Sequence, residues 1–96
     1  MTLKVTVHFV GVLHQVFKKN QVSLEFGHPP TVKEIVEELA GASAEARRVM
    51  LEAELNQIHP ALLVLVNGKE VNALKGSQTR VQKGDDIVLI SVSHGG

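Results

Sequence analysis

The residues of this sequence best suited to chemistry are its last two, Gly95 and Gly96, which come shortly after an apolar stretch. Glycine has no Cβ, so a tail of this kind can enter a partner's channel that is too narrow for other residues. Its carboxylate is unreactive until it is activated, and adenylation with ATP on another protein would expose it to attack by a sulfur or nitrogen nucleophile. The alternative is that the two glycines form a disordered terminus without function.

Side chains elsewhere in the sequence form no catalytic pattern. His8 and His14 have neither a metal-ligand spacing nor an acidic neighbour, and we interpret all five scattered histidines as surface or loop residues. Asp85-Asp86 follows Lys83-Gly84 and leads into an apolar run, which favours a turn over a pair of catalytic carboxylates. With no cysteine, the chain has no thiol nucleophile, disulfide or iron–sulfur site. We expect no catalytic side chain, bound cofactor or metal site.

Length and composition are typical of a small globular protein. Ninety-six residues, 44% of them hydrophobic, predict a single domain over 1–96 with a flexible tail at about 93–96. Ten basic side chains balance ten acidic ones, so the chain lacks the basic surface that nucleic acid or an anionic membrane requires. The longest apolar run, about six residues, is far short of the roughly 20 that cross a bilayer. We expect a cytoplasmic protein with no nucleic-acid or membrane partner.

The first third of the sequence predicts two strands joined by an irregular loop. Apolar and polar residues alternate over 3–9 and again over 21–26, which is the pattern of half-buried strands. Gly11 interrupts the first strand, residues 12–17 fit either a bent loop or a short helical turn, and a polar turn at 18–20 leads into the second strand.

The middle of the sequence predicts two helices. Thr31 and Glu34 have the spacing of a capping box, and Gly41 ends the helix that they begin. Ser43 can cap a second helix, which we expect to extend through residues 43–58 until Pro60 ends it.

The last third returns to strands. An apolar run at 62–66 is followed by Asn67-Gly68, the strongest hairpin signal in the chain, and a last strand is expected at 87–92. Between them lies a polar connection in which Leu74 and Val81 are expected to be buried. The order ββ–α(α)–ββ–β predicts an α+β fold, a mixed sheet packed on one principal helix with an additional second helix. First and last strands should lie parallel at its centre, the architecture called β-grasp or ubiquitin-like.

Three segments resemble a known family. They are Val64-Leu-Val-Asn67-Gly68, the stretch Lys83-Gly84-Asp85-Asp86-Ile87-Val88 before the last strand, and the terminal Gly95-Gly96. Thr31-Val32-Lys33-Glu34-Ile35, which opens the helix, matches as well. Together they are similar to the MoaD-like and ThiS-like sulfur carriers, which share the β-grasp fold. The sequence departs from that family in several places. Phe9-Val10-Gly11-Val12-Leu13-His14 has no arginine, and Ser91-Val92 replaces a proline pair. His94 directly precedes the glycines, and the chain is longer than a compact MoaD around residues 43–58.

The resemblance implies a carrier rather than an enzyme. An adenylating enzyme of the ubiquitin-activating type would use ATP to activate Gly96, with Gly95 as spacer, and a sulfur donor would convert the adenylate into a thiocarboxylate. The expected recipient is molybdopterin, with the chain as small subunit beside the large subunit of molybdopterin synthase. The alternatives are a sulfur carrier for tRNA thiolation, a modifier conjugated to lysines, and an interaction module with an incidental glycine tail.

Five further residues are candidates for contact with a partner. Ser93 and His94 immediately precede the glycines, and His94 is expected to assist transfer only modestly. Val10, Val12 and Phe17 surround the irregular loop, where each is either exposed for docking or part of the core.

Overall fold

The computed structural model describes residues 2–55 and 57–92, which fold as a five-stranded mixed sheet with helices packed against it. The elements in chain order are β1 (Leu3–Gly11), α1 (Val12–Phe17), β2 (Gln21–Phe26), α2 (Val32–Ala40), α3 (Ala44–Met50), β3 (Leu51–Glu52), β4 (Gln57–Ile58), β5 (Leu62–Val66), β6 (Lys69–Glu70) and β7 (Asp86–Ser91). Two short 3-10 turns, Val71–Ala73 and Gly76–Gln78, lie between β6 and β7. The α+β class and the predicted order of elements are therefore confirmed.

The sheet has the strand order β2-β1-β7-β5-β6, with the first and last strands side by side at its centre. β1 and β7 are parallel, as predicted, and their register runs from Thr6 opposite Asp86 to Gly11 opposite Ser91. β5 lies antiparallel on the other side of β7, with Leu62 opposite Ser91. The end of β7 is therefore held between the end of β1 and the start of β5.

One face of the sheet forms the core together with the helices. Alternate residues of β1, β5 and β7 are buried on that face, which is the period expected of strands with one covered side. The fully buried apolar side chains include Val5, Val7, Leu13, Val32, Ile35, Val36, Met50, Val64, Val81, Ile87 and Leu89. Together they form one continuous apolar core between the sheet and the helices.

The principal helix, α2, begins as the sequence predicts. The Glu34 N–H donates to Oγ1 of Thr31 at 3.2 Å, and the Thr31 N–H donates to Oε1 of Glu34 at 2.9 Å. This reciprocal pair is the capping box, which satisfies two N–H groups that have no partner inside the helix. Gly41 is the C-cap, again as predicted.

The prediction of a second helix over 43–58 is wrong in its extent. Ser43 does cap α3, but the helix ends at Met50 because Leu51 adopts extended geometry, with φ −124° and ψ 144°. Leu51–Glu52 and Gln57–Ile58 instead pair as two short antiparallel strands, with Leu51 opposite Ile58. Leu51 is buried in this arrangement, so packing against the core decides the conformation over the helical spacing of the apolar residues.

Three local predictions have different outcomes. Asn67 and Gly68 both have positive φ, 52° and 82°, as the predicted hairpin turn between β5 and β6 requires. Val81 is buried as expected, but Leu74 is exposed, so the prediction of its burial is wrong. Residues 12–17 form a helix, the second of the two conformations considered.

Candidate functional site

The tail of the chain, residues 93–96, lies outside the described residues, so the predictions for Ser93, His94, Gly95 and Gly96 remain predictions. The structure does describe the place from which the tail departs. There the Val92 N–H donates to the carbonyl of Ala61 at 2.8 Å, directly after β7 has ended at Ser91. We call Ala61, Ser91 and Val92 the tail root.

An apolar strip lies on the sheet face opposite the core, beside the tail root. Val10, Ile90 and Leu63 occupy one row across β1, β7 and β5, because Val10 pairs with Ile90 and Ile90 pairs with Leu63. Val92, two residues after Ile90, follows this row along the chain. We call Val10, Leu63, Ile90 and Val92 the outer strip.

The outer strip is most exposed at Val10 and Val92. Val10 is 45% exposed and Val92 is 44% exposed, while Ile90 and Leu63 are half-buried by their neighbours. Val12, the first residue of α1, is also exposed, and it follows Val10 after a single glycine. Large apolar side chains exposed together in this way are typical of a surface that a partner covers.

Phe17 has different surroundings from the two valines. It is half-buried, and its ring stacks on the ring of Phe9 with the centroids 4.3 Å apart and the planes 4° apart. Because Phe9 is buried, this stacking joins α1 to the core rather than to the outer strip. The structure therefore places Val10 and Val12 at the surface and Phe17 against the core.

Two of the histidines lie beside carboxylates that are distant in sequence. Nε2 of His8 is 3.3 Å from Oδ1 of Asp86, across the parallel pair of strands. Nε2 of His28 is 3.0 Å from Oε2 of Glu34. The pKa of Glu34 is held below its ordinary value, chiefly by the hydrogen bond from the Thr31 N–H and next by the His28 contact.

Asp85 takes part in a turn, as the sequence predicted. Its Oδ2 accepts a hydrogen bond from the Gln82 N–H at 2.7 Å, and its Oδ1 accepts from Nδ2 of Asn67 at 3.0 Å. Oδ1 of Asn67 in turn accepts from the Asp86 N–H at 2.9 Å. These contacts fix the turn before β7 against the β5–β6 hairpin, which is a structural role for the carboxylate.

Neither a metal cluster nor a membrane-spanning helix is found in the part of the chain that the structure describes. Over residues 2–55 and 57–92, no three histidine or acidic side chains are placed to share a metal ion. Among the same residues, no helix is both long and apolar enough to cross a bilayer.

Sequence reasoning missed most of the surroundings of the tail root. Leu63 and Ile90 lie in continuously apolar runs and Val92 follows one, so the sequence pattern alone does not show which of them face away from the core. Neither Ala61 nor His59, two residues before it, can be identified from the sequence, because their role depends on which strand lies beside them. His59 is half-buried, and its Nδ1 accepts a hydrogen bond from the Ala61 N–H at 3.0 Å.

The fold and site together define a class of protein. A mixed sheet with parallel first and last strands, wrapped over a principal helix, is the ubiquitin-like β-grasp. The small archaeal modifier protein 1 of Methanosarcina acetivorans has this fold, with a TM-score of 0.83, 18% identity and coverage of 100% of this chain and 99% of that one. At that identity the likeness shows the fold alone.

The sequence comparison then identifies the family. The chain belongs to the Urm1 (Ubiquitin related modifier) family, which it matches over residues 4–96. Ubiquitin-related modifier 1 of Pyrenophora tritici-repentis is 32% identical over 102 residues, with 99% of this chain and 95% of the relative covered. Urm1 of Trypanosoma brucei is similar in structure, with a TM-score of 0.76, 26% identity and coverage of 99% and 97%. The predicted resemblance to the MoaD-like and ThiS-like β-grasp proteins is therefore confirmed, and the family to which the chain belongs is that of the ubiquitin-related modifiers.

Proposed function

We propose that this chain is a ubiquitin-like carrier whose Gly96 carboxylate is adenylated by a partner enzyme and then passes to a sulfur or nitrogen nucleophile. The observation that carries this proposal is the family match, which extends through Gly95 and Gly96. The position of the outer strip supports it, because this apolar surface adjoins the root of the same tail.

The chemistry requires little from the chain itself. In the first step the carboxylate attacks the α-phosphate of ATP, which gives an acyl-adenylate and releases pyrophosphate. In the second step a nucleophile attacks the acyl carbon and AMP leaves, so that sulfur gives a thiocarboxylate and a lysine amine gives an amide. The catalytic groups belong to the partners, and the chain supplies a carboxylate, a narrow tail and a docking surface. ATP is bound by the adenylating enzyme, not by this chain.

Membership of this family favours two acceptors of the activated carboxylate over the one that the resemblance implied, which was molybdopterin. Membership of the ubiquitin-related modifiers fits sulfur transfer for tRNA thiolation, or conjugation to lysines, better than service as the small subunit of molybdopterin synthase. The large subunit of that synthase is therefore not the partner that we propose. The proposed partners are an adenylating enzyme of the ubiquitin-activating type and the acceptor of the activated carboxylate.

Intact-mass measurement tests the carrier function directly. After incubation with the adenylating enzyme, ATP and a sulfur donor, the mass should rise by the difference between one sulfur and one oxygen atom. A variant that lacks Gly96 should keep its mass, and sulfur incorporation by that variant would contradict the proposal. The Leu55→Asp variant, changed at an exposed residue outside the outer strip, serves as the matched control and should accept sulfur normally.

A second measurement separates the two destinations. Affinity capture under denaturing conditions should yield a ladder of covalent adducts if the carboxylate is joined to lysines. A single unconjugated species, together with the sulfur-dependent mass increase, would assign the chain to sulfur transfer alone.

A further inference from the structure

Three hydrogen bonds connect the tail root, by way of His59, to Met50 at the C-terminal end of α3. The Val92 N–H donates to the Ala61 carbonyl at 2.8 Å. That carbonyl shares its peptide group with the N–H of Leu62, which donates to the His59 carbonyl at 2.9 Å. The His59 N–H then donates to the carbonyl of Met50, also at 2.9 Å. The path runs from a surface residue to a residue in the core.

The imidazole of His59 completes this arrangement. Its Nδ1 accepts from the Ala61 N–H at 3.0 Å, so the ring is unprotonated at Nδ1 and its donor is Nε2. Both peptide groups that flank Ala61 are therefore held by one residue, one by the ring and the other by the main-chain carbonyl. The intervening Pro60 restricts the turn further, because its ring fixes φ. As a result, the Ala61 carbonyl has a defined direction toward Val92.

We propose that His59 is a positioning residue for the reactive tail, and this inference rests on the proposed function. Its ring holds Ala61, and Ala61 holds Val92, the last residue before the tail. Four residues then reach at most about 14 Å, so the direction of the chain at Val92 determines where the Gly96 carboxylate can arrive. A fixed root also reduces the conformational entropy that is lost when a partner draws the tail into its channel.

His59 and the outer strip should affect different kinetic constants. Val10 and Ile90 are placed to contact the partner, so changing them should alter the affinity of docking. The ring of His59 contacts the turn beneath the tail root, so changing it should alter the fraction of docked chains whose carboxylate is in position. Weaker docking raises the KM of the adenylating enzyme for this chain, whereas poorer positioning of the carboxylate lowers kcat.

The experiment compares His59→Ala with His59→Asn. The side-chain oxygen of asparagine occupies the same place along the chain as Nδ1, so His59→Asn can still accept from the Ala61 N–H, whereas alanine cannot. Amide hydrogen exchange at Val92 and Ala61 is measured by NMR. In His59→Ala we expect exchange about tenfold faster at Ala61, whose N–H loses its hydrogen bond, and also faster exchange at Val92, because its acceptor Ala61 is no longer held by the ring. His59→Asn should show near wild-type exchange at both amides. The dispersion of the remaining amide resonances shows whether each variant is folded.

The same variants are then assayed for adenylation by ATP–pyrophosphate exchange with the adenylating enzyme. His59→Ala should lower kcat about three- to tenfold with KM within about twofold, and His59→Asn should restore most of the rate. Unchanged exchange at Val92 in His59→Ala would overturn the proposal, as would an unchanged kcat.

Failure of the proposed function gives a different result. In that case the wild-type chain supports no pyrophosphate exchange at all, while hydrogen exchange at Val92 still depends on His59. That pair of results would overturn the carrier function and, with it, the role of His59 in transfer. The hydrogen bonds that fix the tail root would remain.

Discussion

Gly11 pairs with Ser91 at the point where β1 and β7 end together. Gly11 has a φ of 74°, a backbone conformation that residues with a side chain rarely adopt. The chain turns there into α1. The exposed Val10 and Val12 on either side of this turn are therefore brought beside the residue from which the tail departs. Under the proposed function, a partner that covered both valines would lie beside the point where the tail begins.

Substitution of Val10 by aspartate tests this docking surface. A carboxylate in the outer strip would have to be desolvated when the partner binds, so KM for adenylation should rise about tenfold or more, with kcat nearly unchanged. The thermal unfolding curve should stay close to that of the wild type, because Val10 is largely exposed. Leu55→Asp is the matched control, since Leu55 is even more exposed (65%) but belongs to the loop between β3 and β4. Equal effects of the two variants would count against a specific docking surface.

Glu34 should make stability depend on pH. Hydrogen bonds from the Thr31 N–H and contact with His28 lower the pKa of this carboxyl from its ordinary value of 4.5. A pKa lowered by folding stabilises the native state above the unfolded value, and this contribution is lost as the pH falls through the folded value. Glu34→Gln should therefore lower Tm at neutral pH, and the difference from wild type should shrink in acid.

The matched control for Glu34 is Glu37→Gln, an exposed position on the same helix. Its Tm should follow the wild type over the whole pH range. A difference between Glu34→Gln and wild type that persists unchanged in acid would show that the ionised carboxylate is not responsible.

Ser91→Ala should stabilise the fold. Ser91 is buried, and within the described part of the chain its hydroxyl oxygen has no hydrogen-bond partner. Removal of an unsatisfied buried hydroxyl should raise the free energy of unfolding by up to about 1 kcal/mol. Far-UV circular dichroism during urea denaturation measures this, since the chain has no tryptophan or tyrosine. Ser23→Ala, at an exposed position on β2, should leave stability unchanged. A loss of stability in Ser91→Ala would mean that the hydroxyl has a partner in solution.

Asn67 should be more costly to replace by alanine than by glycine. Its φ of 52° is unfavourable for alanine but not for glycine, and either replacement removes the side-chain bonds to Asp85 and Asp86. We expect Asn67→Ala to lower the free energy of unfolding by about 2 kcal/mol and Asn67→Gly by about 1 kcal/mol. Urea denaturation of both variants gives the comparison, and equal losses would remove the conformational part of the explanation.

Much of the fold could be predicted because local signals agreed with the global arrangement. The alternation in β1 and β2, the capping box of Thr31 and Glu34, and the Asn67-Gly68 turn each depend on neighbours in sequence, and each is confirmed. The end of α3 could not be predicted in this way. Its apolar spacing continues beyond Met50, and only packing of Leu51 against the core shows that the helix stops.

The surroundings of the tail depend on contacts between distant segments. Ala61 and Val92 are joined by a hydrogen bond that exists only because β5 lies beside β7. The outer strip likewise draws its members from three strands, so no single stretch of sequence displays it. The Gly95-Gly96 pair can be identified from the sequence alone, whereas the residues that hold the tail root can be identified only once the sheet pairing is known.

The central position of β7 has a consequence for the synthesis of the protein. β7 is the last of these strands to be synthesised, yet β1 and β5 belong to one sheet only because β7 lies between them. Until β7 has been released, the sheet remains in two halves and the row formed by Val10, Ile90 and Leu63 does not exist. If the proposed adenylating enzyme recognises this row, it should act only on chains in which β7 is paired with β1 and β5. Chains that lack β7 should then not be activated.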